Sequence, residues 1–155
     1  MSVKSLSLIL TFTLSLGAQA APADIYKSLG LNQGKVEVIK DANDNCTGGP
    51  FRFVGKEGEE VLQIGANLTF HQPTKEKTNL VKADAETCAE DVESKLLNKK
   101  LYMKTTVHSC PKALKKLELV TEELIEVNKD QIKYTKKNNL EKIECTFKWS
   151  ESDKK

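Results

Sequence analysis

The chain has 155 residues, with 24 basic and 22 acidic side chains, a formal net charge of +2 and four cysteines. Its basic charge is almost all lysine, Arg52 being the only arginine. Lysines dispersed among glutamates make a solvated surface, and the absence of clustered arginine argues against a nucleic-acid partner.

The first twenty residues read as a leader. Lys4 supplies a basic start, Leu6 to Leu16 form a short apolar run, and Ala18-Gln19-Ala20 offers a small-x-small cleavage site. The run is too short to span a bilayer, which takes about 20 residues. No second run of that length follows, so no membrane span is expected. Cleavage near Ala20 would leave 135 of the 155 residues and, with Lys4 lost, a net charge of +1. The expected product is a secreted or periplasmic protein with one disulfide-stabilised domain over residues 21–150 and a polar tail at 151–155.

Residues 21–31 suit one or two helical turns or an extended lead-in, and Asn32-Gln33-Gly34 punctuates the chain. From there the dominant period is two. Val36 and Val38 alternate with Lys35 and Glu37, and Phe51 and Phe53 alternate with Arg52 and Val54. The cleanest run is Leu62, Ile64, Ala66, Leu68 and Phe70, read as one face of a single long strand. Lys56 to Glu59 reads as a hairpin turn before it. Leu62, Ile64, Leu68 and Phe70 are the candidate core or apolar ligand-lining positions.

The second half repeats the theme. Leu101, Met103, Thr105 and Val107 share a face, and Asn128-Lys129-Asp130 joins Ile125 and Val127 to Ile132 and Tyr134 as a hairpin. Ile143, Cys145, Phe147 and Trp149 make a final half-buried strand after a Lys-Lys-Asn-Asn turn. Two segments are ambiguous. Residues 87–99 carry a capping-box pattern at Thr87 and Glu90, and residues 111–127 follow a Pro111 that suits a helix start. Their neighbours on either side favour strands. The predicted fold is therefore mainly β, an antiparallel meander of about seven to nine strands. It would form a small up-and-down barrel or sandwich, with one or two short helices at most. The alternative is α+β, with helices near 87–99 and 111–127.

An even cysteine count in an exported chain argues for two disulfides. Sequence alone allows three connectivities. In a closed meander the first and last strands become neighbours, so Cys46 could reach Cys145, and Cys88 and Cys110, which flank one hairpin, could close it. In the chain-entropy model the shorter loop is worth roughly 3 kcal/mol and the longer about 4.5 kcal/mol. The cysteine spacings match no zinc pattern, and neither a metal nor another cofactor is expected.

The stretch "DANDNCTGGPFRFVG", residues 41–55, begins like a calcium loop, with oxygen ligands at Asp41, Asn43 and Asn45. Cys46 and Arg52 then stand where such a loop needs glycine and a bidentate glutamate. It reads instead as a polar turn, with Asp41, Asn43, Asp44, Asn45 and Thr47 as a possible contact loop. His71 and His108 read as exposed or rim residues, since no nucleophile or metal motif stands beside either. Two glycan acceptor patterns, at Asn45 and Asn67, read as chance matches. The functional expectation is a non-catalytic binding protein for a small apolar molecule or a protein partner. The alternative is an inhibitor of an extracytoplasmic hydrolase acting through the 41–50 loop.

Overall fold

A computed structural model describes residues 21–41, 44–56, 60–71 and 78–152. The proposed leader, Asn43, the core of the 56–59 turn and residues 153–155 lie outside these. One helix, α1 (Pro22–Leu29), precedes ten strands: β1 (Gly34–Asp41), β2 (Gly49–Val54), β3 (Val61–Ile64), β4 (Leu68–His71), β5 (Thr78–Val81), β6 (Ala89–Leu97), β7 (Lys100–His108), β8 (Leu119–Asn128), β9 (Gln131–Lys137) and β10 (Lys142–Glu151). They form one sheet in the order β4-β3-β2-β1-β10-β9-β8-β7-β6-β5, with every ladder antiparallel. The order is the chain order cut once, between β4 and β5. The sheet is thus an up-and-down meander rolled into a nearly closed barrel.

Both ambiguous segments resolve mainly to strand. Residues 89–97 pair with β7 as a hairpin that turns at Asn98-Lys99, with Lys99 in the left-handed region at φ 57°. Residues 112–117 form a short 3₁₀ turn before β8, so the helical pattern after Pro111 lasts about two turns and no further. The long strand expected over 62–70 is in fact two. β3 and β4 fold back on each other with Ile64 opposite Leu68 and Leu62 opposite Phe70, around a turn of Gly65, Ala66 and Asn67. β10 also runs on to Glu151, opposite Gly34, so the chain stays paired past Ser150.

The helix forms where its sequence permits. Pro22 sits in the first turn, Asp24 and Lys27 complement the helix dipole, and Gly30 adopts the left-handed conformation at φ 69° that ends it. Ile25 and Leu29, one turn apart, are wholly buried. Ser28 Oγ donates to the Leu97 carbonyl at 2.7 Å and the Ser28 carbonyl accepts from Lys99 N–H at 2.8 Å. Tyr26 stacks edge-on to Phe53, 5.2 Å between ring centres. These contacts seat α1 across the barrel end that holds the β6–β7 turn. Beneath it Val36, Phe51, Leu62, Ile64, Phe70, Leu101, Ile125, Ile132 and Phe147 fill the interior.

Two disulfides join Cys46 to Cys145 and Cys88 to Cys110, the pairing that a closed meander calls for. The first ties the β1–β2 loop to β10, the second closes the open ends of the β6–β7 hairpin. Replacing Cys46 and Cys145 together by alanine should lower unfolding free energy by about 4.5 kcal/mol, against about 3 kcal/mol for Cys88 and Cys110. Cys145 is wholly buried, so the first pair also leaves a cavity. Denaturant titration of both double variants under non-reducing conditions checks the order; equal losses would contradict it.

Candidate functional site

Inward-facing side chains can be followed around the barrel from strand to strand. One row runs Cys145, Tyr134, Ile125, Leu101 and Leu96, and four of its five members are apolar. The next row, away from α1, runs Ile143, Lys136, Glu123, Met103 and Ser94. A further step brings Thr121, Thr105 and Val92 into line. The interior therefore changes from apolar to polar as it leaves the helix-plugged end.

A cavity of ≈ 460 Å³ opens in this polar half. Met103, Thr105, Glu123, Tyr134, Lys136 and Ile143 line it from β7 to β10, and Glu90 joins them from β6. Leu68, Thr69 and His71 complete it from β4, and Asn45 and Asn67 stand on its rim. Its size is within the range of small-molecule sites.

Glu123 is the electrostatic centre. Its Oε1 accepts a short hydrogen bond from the Tyr134 hydroxyl. Burial holds its carboxyl above the usual glutamate range, and the Tyr134 bond, Lys136 and His71 offset this only in part. Burial, and then the neighbouring Glu123 charge, push the Tyr134 phenol far up, so it stays a donor. Lys136 is already engaged, its Nζ 2.7 Å from Glu141 Oε1. Ser94 is only 6% exposed, and its hydroxyl has no hydrogen-bond partner among the described residues.

The residues singled out from sequence divide between core, rim and cavity. Leu62, Ile64 and Phe70 belong to the filled core, and only Leu68 of that set borders the cavity. The lining is mixed where an apolar one was expected, because the apolar strand positions are spent under α1. Residues 45–47 of the 41–50 loop lie against the β3–β4 turn. Cys46 N–H donates to Asp41 Oδ2 at 2.8 Å, Thr47 Oγ1 donates to Asn67 Oδ1 at 2.6 Å, and Asn67 Nδ2 donates to the Asn45 carbonyl at 3.1 Å. Asp44 is exposed, with φ 54°. A methyl group added to Gly65, itself at φ +65°, would meet the Thr47 carbonyl oxygen at 1.9 Å. Residues 45–47 are thus stapled to this turn, and Asn45 stands at the mouth of the cavity.

His108 does have partners that the sequence left unseen. Its Nε2 lies 2.8 Å from Asp91 Oδ2 and its Nδ1 2.9 Å from Ser109 Oγ. This string has the members of a catalytic triad but not the surroundings. The Cys110 N–H, next along from Ser109, donates to Glu118 Oε1 at 3.0 Å. That N–H is therefore already taken by a carboxylate and is not free to serve as an oxyanion donor. The string instead fastens the end of β7 to β6 beside the Cys88–Cys110 bridge.

Glu123, Glu90 and Lys136 drew no attention as a site in the sequence, since each stands in an ordinary charged stretch of a separate strand. Their signal is parity. Glu123 has the odd numbering of Ile125 and Val127, and Lys136 the even numbering of Ile132 and Tyr134. Comparison with protein-family models, curated proteins and solved structures returns no match.

Gly65→Ala should cost about 2 kcal/mol or more, because it adds a left-handed strain to a clash with the stapled loop; an unchanged denaturation midpoint would contradict the close approach. Glu123→Gln should raise the melting temperature at pH 7. A raised carboxyl pKa means that the stability from this group is full below the ordinary glutamate range. It is lost as pH rises through the raised value. The gain of the variant should therefore shrink as pH falls through that window, which melting curves across pH would show.

Proposed function

We propose that this chain is an exported, non-catalytic binding protein that takes a small molecule into the open end of its barrel. The observation that carries this reading is the change of the interior from filled and apolar beneath α1 to hollow and polar around Glu123. A stability-driven core gains nothing from an incompletely paired carboxylate and an unpartnered serine. A binding site gains orientation from such a carboxylate in its lining.

Export is supported by the leader-like first twenty residues. Both cysteine pairs are oxidised, which suits an extracytoplasmic compartment. No helix among the described residues is long and apolar enough to cross a membrane. In this reading Asn45 and the described residues beside it frame the mouth, in place of the plug that an inhibitor would extend into a hydrolase cleft.

Native mass spectrometry after incubation with a small-molecule extract tests the proposal. Retained mass increments are expected on the wild type. They should be absent from Thr105→Trp, which fills the cavity from β7. Increments retained equally by both proteins would overturn it. For export, the mature protein should begin at Ala21 when its N-terminus is sequenced.

A further inference from the structure

We propose that the ligand's recognised group is an ammonium, a primary amine on a short hydrocarbon stem, with Glu123 as its counter-charge. This rests on the reading of the barrel's open end as a binding site and adds the charge and shape of what enters.

The charges of the cavity do not balance. Glu123 and Glu90 both line it, and neither makes an ion pair with another described residue. Lys136, the lysine in the lining, has its Nζ taken by Glu141 at 2.7 Å. His71, exposed at the end of β4, offsets the Glu123 charge only in part. The space around Glu123 thus carries net negative charge, which repels carboxylates and phosphates and attracts cations.

Hydrogen bonding selects further. A carboxylate offers about four lone-pair sites, and among the described residues Glu123 receives one donor, the Tyr134 hydroxyl. The donors it lacks are what an ammonium brings, three N–H groups around a compact charge. A metal ion is the other cation to weigh. Among the described residues no three or more His, Cys, Asp or Glu side chains converge to hold one. Met103, paired directly with Glu123 on the neighbouring strand, and Ile143 and Leu68 elsewhere in the lining supply apolar contact for the methylenes of a stem. Ser94, buried and unpartnered one strand beyond Met103 in the same inward row, marks a second unmet polar position in the interior.

The chain has two methionines, Met1 and Met103, so carbon-13 methyl labelling places one reporter in the cavity wall. Its signal is identified by its loss in Met103→Leu. Propylammonium, propanol and propanoate have matched size and differ in charge. Propylammonium should shift the Met103 methyl signal saturably, with a dissociation constant on the order of millimolar for so few atoms. Propanol and propanoate should not at the same concentrations. Glu123→Gln should weaken propylammonium at least about tenfold, since it removes the charged partner. Glu123→Gln binding it as well as the wild type would overturn the proposal. A response to propanol or propanoate in place of propylammonium would also overturn it while leaving the binding reading standing. Silence from all three, together with equal extract binding by wild type and Thr105→Trp, would remove both.

Discussion

The pairing of β1 with β10 is the constraint on which the rest of this structure depends. Every other ladder joins strands that follow one another in the chain, and each could form as an isolated hairpin. Hairpins alone are marginal in water. It is the register Val36 to Trp149, Val38 to Phe147 and Asp41 to Cys145 that curls the meander and gives its apolar face an inside. The Cys46–Cys145 bridge stands at the end of this ladder and fixes it covalently.

Once the sheet is rolled, its two ends meet different fates. One receives α1, whose Ile25 and Leu29 complete the apolar core. The other is framed by the stapled β1–β2 loop and the β3–β4 turn, and nothing among the described residues fills it in the same way. The inward slots there hold Glu123, Lys136 and Thr105, residues that α1 could not have covered without stranding their charges. Plug and cavity are therefore two answers to one problem, the disposal of the interior of a small barrel.

Much of this architecture could be read from period-two alternation, because most strands here bury one face and solvate the other. The disulfide partners agree with the topology, since a meander closed on itself sets the loop after β1, which carries Cys46, beside Cys145 in β10. The β3–β4 break escaped for a specific reason. A three-residue turn preserves the parity of its flanks, so Leu62, Ile64, Leu68 and Phe70 all point inward although the chain reverses between them. Only Gly65 and Asn67, both turn formers, betray it. The cavity escaped because alternation identifies a face by its apolar members. Where the inward residue is itself charged, as at Glu123 and Lys136, hydropathy assigns it to solvent, and only the numbering of its neighbours corrects the error.

The closing pair also sets an order on how the chain acquires its bridges during synthesis. Cys88 and Cys110 are separated by 22 residues and held by one hairpin, so they meet early and locally. Cys46 emerges before either of them, yet its partner lies 99 residues downstream in the last strand made. Until Cys145 arrives, the nearest available thiol for Cys46 is Cys88, and that bond would anchor β1's loop to the far side of the unfinished sheet. Productive maturation thus turns on keeping the first cysteine uncommitted longest. A thiol–disulfide isomerase is the class of catalyst that rescues chains which commit too soon.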